Sequence, residues 1–442
     1  MTVRDVDVVI TGYGAVTGLG DDEALREAWL AGRSGVRPFG DDKDVGGLPP
    51  GYGARVDFSH KQLRALPGAR GLRPGTMTEF TFLACGAVGR ALRSAGILDP
   101  EADTVEVMDR RGVYLGSYTN FPELKKHARL THVMADPQAA ESGVYTVDDS
   151  RIDQGMKGFT GFDFLKLMNN MPTAHAAIQA AARGPANTML GHATAGLQAI
   201  GRAVDGIRLD LADQFIAGGT GPGTSEGLAA VRHTNGMFAD PVATPGSAAR
   251  PLDVGATGLV PGDAGAAIVL ETAQNAADRG AAPIARIAAC RDLFVAPPTP
   301  RGGVDAVAVE RLVRGLLADA GWDAAEVDYV AASGIGLDSV DAGEAAALGA
   351  VFGDRLGEVV IAVHTGVTGF CEAGHACVGL VGALQAMQDG LVPPQVNLDA
   401  PRPGLERLAR LTVSTPRDVR RALIIGTCPE GSLAGMAIQN LG

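Results

Sequence analysis

The chain has 442 residues and a formal net charge of −12, since 38 lysines and arginines stand against 50 aspartates and glutamates. With 46% hydrophobic and 20% charged residues, the composition excludes a disordered chain, and the acidic balance without a basic stripe excludes a nucleic-acid-binding surface. No apolar run approaches the ~18 residues that span a bilayer, and the charged first residues do not form a signal peptide, so we expect a cytoplasmic protein without a membrane partner.

The first part of the chain alternates short β-branched runs with apolar segments of helical length. Residues 7–11 are predicted to form a strand, and a helix capped at Asp21 or Asp22 follows. Further strands are predicted at 111–117, 186–190, 214–220 and 266–271, and helices at 79–95, 171–182 and 193–207. The segments within 171–220 are apolar on most sides, which is typical of a buried parallel sheet. Residues 118–166 are more polar and irregular, and we interpret them as an excursion from the core.

The second part of the chain runs through a similar order of elements. Strands are predicted at 283–290, 327–332, 359–363, 421–425 and 433–439, and helices at 304–320, 339–352 and 375–388. In 304–320 the apolar residues follow the i, i+3, i+4 spacing of an amphipathic helix. No linker separates the two parts. We therefore predict one α/β body built from two similar repeats, 1–275 and 276–442, rather than two independent domains.

Three segments resemble the β-ketoacyl-acyl carrier protein synthases, the condensing enzymes of fatty-acid and polyketide synthesis. Residues 8–39 are similar to the opening of that family, and residues 250–286 to its central signature, with Asp263 where most members carry glutamate. Residues 184–219 are similar to the nucleophile region and the strand after it. The resemblance covers nearly the whole chain and implies a thiolase-like α/β fold, in which two similar repeats form a five-layered αβαβα body.

The resemblance also identifies the positions at which the family carries its reactive side chains. A cysteine at a helix N-terminus takes the acyl chain as a thioester, and two histidines assist decarboxylation of the malonyl unit and stabilise the developing charge. In this sequence the cysteine position holds Ala193, and the two histidine positions hold Ser333 and Phe370. The family's lysine falls on Thr365, so Glu344, which resembles the charge partner of that lysine, is left without it. We therefore predict that the family's catalytic residues are absent.

These departures are similar to those of the chain-length factors, the catalytically silent synthase homologues of type II polyketide synthases. The resemblance implies a subunit that forms a heterodimer with an active ketosynthase, serves an acyl carrier protein and helps to shape the acyl tunnel in a polyketide or specialised fatty-acid pathway. Phe121 lies in a segment that resembles the one lining that tunnel, and His192 beside the vacated nucleophile position is a second tunnel or interface candidate. No cofactor is expected.

Two other functions stay open on the sequence. A diverged thiolase-fold acyltransferase could act on carrier-bound acyl chains with a relocated nucleophile or base, for which Cys371, His375, His364 and Cys428 are the candidates. A homodimeric protein could instead bind acyl chains or a carrier without turnover. Both cysteines could also be small apolar residues of the core.

The remaining reactive side chains predict neither a disulfide framework nor a metal site. Five cysteines, an odd number in a long chain, are expected to stay reduced. A metal site in 364–377 would need paired cysteines such as C-x₂-C, which are missing there, so no metal is expected. Lys125, Lys126 and Arg129 could meet an acidic carrier, although a solvated helix face is the favoured explanation.

Overall fold

The computed structural model describes residues 6–40, 50–118, 126, 131–134, 148–299 and 302–442. The strands are β1 (Val8–Thr17), β2 (Gly20–Asp21), β3 (Arg37–Pro38), β4 (Tyr52–Gly53), β5 (Arg111–Ser117), β6 (Ala186–Leu190), β7 (Gln214–Pro222), β8 (Asp263–Thr272), β9 (Ala285–Phe294), β10 (Tyr329–Ala331), β11 (Val360–Ala362), β12 (Leu391–Val392), β13 (Thr415–Pro416), β14 (Arg421–Thr427) and β15 (Ser432–Asn440). The helices are α1 (Asp22–Leu30), α2 (His60–Arg64), α3 (Glu79–Ser94), α4 (Val105–Asp109), α5 (Ile152–Met156), α6 (Gly161–Lys166), α7 (Met171–Gln179), α8 (Ala195–Arg208), α9 (Glu226–Thr234), α10 (Ala273–Asp278), α11 (Ala306–Ala320), α12 (Asp338–Phe352), α13 (Thr365–Thr368) and α14 (His375–Asp389).

Every strand and helix predicted in the two repeats is confirmed, with ends that differ by a few residues. The largest difference is β1, which continues six residues beyond the predicted end at Thr11. Although glycines occupy positions 12 and 14, the strand pairs with β8 from Val8 to Thr17, with a register shift between Ile10 and Gly12. The glycines instead allow a close approach of α3, because a Cβ at Gly14 would lie 2.5 Å from the backbone nitrogen of Ala91. The glycine pattern therefore reflects packing between β1 and α3.

The main sheet carries the same strand order twice. Its order is β11-β10-β14-β15-β9-β1-β8-β7-β5-β6, with β2 paired to β1. Counted along the chain within each half, both halves place their strands in the order third, second, fourth, fifth, first. The halves meet where β9 pairs with β1 at Val9 with Arg286 and Ile10 with Ala285. This is the repeat that the sequence predicts, while the boundary after residue 275 stays an interpretation.

Helices form three layers around the two halves of the sheet. The outer layers contain α3 and α7 on one side and α11 and α12 on the other, and α8 and α14 lie between the halves. The central core joins α8 and α14 to strands of both halves through aliphatic side chains such as Ile200 and Leu384. Residues 375–387 of α14 are all buried. The five-layered thiolase-like arrangement implied by the resemblance is confirmed.

The prediction of a buried strand at 186–190 is wrong. Strand β6 is the terminal strand of the sheet and pairs with β5 alone within the described residues, so one of its edges is open. Its side chains are exposed or half-buried, and Leu190 is 57% exposed. The sheet is also mixed, since parallel pairing is confined to β6-β5-β7 and β11-β10-β14. None of the helices in the described part of the chain combines the length and hydropathy that a membrane span requires.

Candidate functional site

The three positions that the sequence resemblance aligns with the family's reactive side chains lie at the ends of neighbouring elements. Ala193 is in the turn that connects β6 to α8, Ser333 follows β10, and Phe370 follows the short helix α13. All three side chains are buried, and Ala193 and Phe370 belong to the same hydrophobic cluster. The fold therefore still brings these segments together, as a condensing enzyme needs.

The hydroxyl and carbonyl groups of Ser333 are hydrogen-bonded to neighbouring segments. Its hydroxyl accepts a hydrogen bond of 3.2 Å from the amide of Thr427 and lies 3.5 Å from the carbonyl oxygen of the same residue. Its carbonyl oxygen accepts hydrogen bonds from the hydroxyl of Thr365 at 3.1 Å and from His375 Nε2 at 3.0 Å. These bonds join the ends of β10 and β14. The serine therefore holds the two strands together, and it offers a hydroxyl rather than an imidazole at the position that the sequence resemblance aligns with a histidine.

Glu344 is a buried carboxylate that the sequence resemblance aligns with the partner of the family's lysine. It accepts hydrogen bonds from the backbone amides of Ser333 at 2.8 Å and Gly334 at 2.7 Å. Burial raises the pKa of this carboxyl to about 7, although the two amides favour the ionised form. Thr365, at the lysine position, is tied to the same turn by its hydroxyl. Two backbone amides thus replace the cation as the partners of Glu344.

His364 and His375, two of the alternative candidates, form a buried pair in the core. His364 Nε2 lies 3.3 Å from His375 Nδ1, and the ring centres are 4.3 Å apart. Because His375 Nε2 faces the carbonyl oxygen of Ser333, it must donate, and Nδ1 then accepts from His364. His364 Nδ1 is left without a partner. Burial lowers the pKa of His375 to about 4 and that of His364 well below its usual range, so both rings are neutral at pH 7.

Cys371 and Cys428 are both buried thiols. The Cys371 thiol lies 3.4 Å from the carbonyl oxygens of Thr368 and Gly369, and the Cys428 thiol lies 2.7 Å from Glu430 Oε2. Burial raises the pKa of each thiol, and the neighbouring Glu430 carboxylate raises that of Cys428 further. Since the thiolate is the nucleophile, these surroundings oppose thioester formation at either residue.

An ion cluster that the sequence did not predict lies at the same place. Arg232 on α9 donates from Nε and Nη2 to the two carboxylate oxygens of Glu372 at 3.0 and 2.9 Å, and from Nη1 to Glu430 at 2.8 Å. His192 Nδ1 lies 3.0 Å from Arg232 Nη2 and 3.2 Å from a carboxylate oxygen of Glu372. Burial opposes ionisation of Glu372, but Arg232 and His192 outweigh it and lower its pKa to about 2. We call these four residues the Arg232 cluster.

The Arg232 cluster touches the segments that carry Ala193 and Phe370. His192 directly precedes Ala193, and the guanidinium carbon of Arg232 lies 5.6 Å from the ring centre of Phe370. The ring of Tyr118 packs on His192 with a centre distance of 4.0 Å. Glu372 adopts a φ of +45°, a strained conformation for a residue with a side chain. Such strain at a buried charge is typical of a functional site.

Some predicted site residues lie elsewhere or outside the described residues. Phe121, Lys125 and Arg129 are outside the described residues, while Lys126 forms an ion pair of 2.7 Å with Asp163. Across the described ranges, no group of three or more histidine, cysteine or acidic side chains is arranged to hold a metal ion. Sequence reasoning noticed His192 and Glu372 separately, but nothing local to Arg232 indicates its role, since Glu372 is 140 positions away.

Comparisons with known proteins identify the family to which the chain belongs. The family models described as "Beta-ketoacyl synthase, N-terminal domain" and "Beta-ketoacyl synthase, C-terminal domain" match residues 5–276 and 300–399. The chain is 28% identical to Nodulation protein E of Rhizobium meliloti strain 1021, over 99% of this chain and 100% of that protein. It is also 28% identical to the tetracenomycin polyketide synthase ketoacyl synthase beta subunit of Streptomyces glaucescens, over 98% of each. A solved structure titled "The ishigamide ketosynthase/chain length factor" superposes with a TM-score of 0.79 at 21% identity, covering 99% of this chain and 100% of that chain.

Proposed function

Because the chain belongs to the β-ketoacyl synthase family, we propose that it is a non-catalytic subunit of the chain-length-factor type. In this role it pairs with an active β-ketoacyl synthase and shapes the acyl tunnel of that partner. The observation that supports the proposal is the identity of three buried side chains, because the sequence resemblance aligns Ala193, Ser333 and Phe370 with the family's cysteine and two histidines.

The chemistry of the site supports the absence of condensation. A methyl group forms no thioester, and the loss of a covalent nucleophile together with its base costs on the order of 10⁶ in rate. The buried thiols at 371 and 428 and the neutral pair His364 and His375 do not replace these groups, since their hydrogen bonds are directed to the surrounding protein. The proposed role is therefore steric, with the chain supplying wall and interface.

The open edge of β6 supports a second subunit as partner. An edge strand presents unpaired amide and carbonyl groups and pairs readily with another chain. Leu190 on β6 and Ile178 on α7, a helix that packs on β5 and β6, are exposed apolar side chains. The names of the tetracenomycin relative and the ishigamide structure describe a β subunit and a ketosynthase/chain-length-factor assembly. By analogy, the partner of this chain is a synthase that retains its cysteine and histidines, acting on chains held by an acyl carrier protein.

Co-expression with a homologous synthase that retains Cys-His-His tests the proposal. We expect the two chains to co-purify and condensation to require both. Leu190→Asp places a charge at the β6 edge and should abolish co-purification, whereas Val413→Asp, at a residue that is 67% exposed in the other half, should not. Condensation of acyl and malonyl carriers by this chain purified alone would refute the proposal.

A homodimer that binds acyl chains or a carrier without turnover is the second candidate, because the same open edge of β6 would serve it. The two candidates differ in native mass. A stable homodimer that excludes the synthase during co-expression favours the second candidate, and a 1:1 complex of the two different chains favours the first.

A further inference from the structure

The Arg232 cluster extends from the protein surface into the core. Glu430 is 40% exposed and His192 is 14% exposed at the outer end, and below them the side chain of Arg232 is only 3% exposed. Glu372, the innermost member, is fully buried. Tyr118 covers His192 on one side. Charged groups therefore line the whole depth of the site beside Ala193.

Such a cluster is costly to build. Taking a guanidinium and a carboxylate out of water costs several kcal/mol per ion, and close pairing offsets this cost only when the geometry is good. Here the pairing is bidentate, and every guanidinium nitrogen of Arg232 has a partner. The strained backbone of Glu372 adds about 1–3 kcal/mol. If the space beside Ala193 only had to be filled, aliphatic side chains would fill it at a lower free-energy cost than buried ions do.

The cluster is also incompatible with the ancestral contents of the pocket. An acyl chain entering beside Ala193 would meet Arg232 and Glu372 and would have to displace one of them, leaving the other charge buried and unpaired. Arg232 makes contacts with each of the other three members, two of which come from the last quarter of the chain. Removal of this single residue separates the cluster into isolated groups.

We propose that Arg232 closes the vacated pocket of this subunit to acyl chains and to the thiol arm of a carrier, by tying Glu372, Glu430 and His192 together beside Ala193. Acyl chains then reach only the site of the partner. This inference rests on the proposed function in one respect, namely that Ala193 marks the position of the ancestral nucleophile.

A thiol introduced by Ala193→Cys reports access to the pocket. The full-length variant is treated with iodoacetamide or with chloroacetyl-pantetheine, in which the thiolate displaces chloride, and adducts are counted by intact mass. The same treatment of the unsubstituted chain gives the background from its own cysteines. The comparison variant carries Ala193→Cys together with Arg232→Met and Glu372→Leu. These two substitutions remove both buried charges, so that neither is left unpaired.

We expect the introduced thiol to react with the pantetheine probe about 100-fold faster in the background without the two charges, which corresponds to a local opening of the cluster costing about 2.7 kcal/mol. Glu430→Ala removes only the outer carboxylate and should give a smaller acceleration if the double substitution does not fold. Glu310→Ala, which removes a partly exposed carboxylate paired with Arg314, is the matched control and should have no effect.

Two results overturn the inference. One is equally fast labelling with the Arg232 cluster intact, and the other is absence of labelling in both folded backgrounds, since another feature then closes the pocket. Neither measurement involves a synthase partner. A failure here is therefore separate from a failure of the proposed pairing, which the co-purification test decides.

Discussion

Removal of Arg232 should destabilise the protein because it leaves a carboxylate buried without its partner. In Arg232→Met the aliphatic stem is kept and the guanidinium is lost. Among the described residues, His192 is then the hydrogen-bond partner that remains for the Glu372 carboxylate. The lowering of the pKa of Glu372 from its ordinary value near 4.5 to about 2 corresponds to roughly 3 kcal/mol at neutral pH. This agrees with the 3–5 kcal/mol that the loss of one partner of a buried ion pair typically costs.

Thermal unfolding at pH 7 measures this effect. For a chain of this length the unfolding entropy is about 0.9 kcal/mol per kelvin, so roughly 3 kcal/mol lowers the midpoint by roughly 3 °C. Replacing Glu372 by leucine in the same chain should restore most of the loss, since the unpaired charge is gone. The stabilisation is fully present above pH 4.5 and is lost as pH falls through about 2, so the difference between wild type and variant should shrink in acid. An unchanged midpoint in Arg232→Met at pH 7 would refute this reasoning.

Three further outcomes are expected. Ala193→Cys alone should give no condensation in an assay with acyl and malonyl carriers, because both histidine positions hold other residues, and a measurable turnover would show that the alignment is wrong. Incubation with acyl thioesters should leave Cys371 and Cys428 unmodified in intact-mass spectra, since burial raises the pKa of both thiols. An acyl adduct at either cysteine would instead support an acyltransferase with a relocated nucleophile. His375→Gln should reduce acid sensitivity: the lowered pKa of His375 contributes stability that is present above pH 6.5 and lost as pH falls through about 4, so melting curves of the variant should change less over that interval.

The architecture could be predicted from the sequence because its signals are local. Periodicity and β-branched runs identified each strand and helix, and the capping of α1 by Asp21 was visible as a residue type at a helix start. The order of strands within the sheet was not predicted, because the pairing of strands distant in the chain has no local signal. The open edge of β6 could not be predicted, because an apolar strand has the same composition whether a neighbouring strand or a partner chain covers it.

The site was predictable only where sequence motifs flank it. Ala193 and Phe370 could be aligned with the family because segments that resemble its motifs adjoin them in this sequence, namely 197–200 and Thr368-Gly369. The Arg232 cluster had no such signal. Its members approach one another through long-range folding, with 198 positions between Arg232 and Glu430, and the φ of Glu372 has no signature in its own residue type.

The position of α14 has a consequence for the order in which the protein is made. This helix belongs to the second repeat, yet it packs on β1, β7 and β8 of the first, and Gly382 receives the ring of Trp29 from α1 so closely that a Cβ would lie 1.9 Å from it. A ribosome adding about 5–20 residues per second needs roughly 6–23 s after residue 275 to reach the end of α14. Until then α8 packs on β5 and β7, but the apolar surface that α14 covers on β1, β7 and β8 is exposed, so a fragment ending at residue 275 should tend to aggregate rather than accumulate as a folded product.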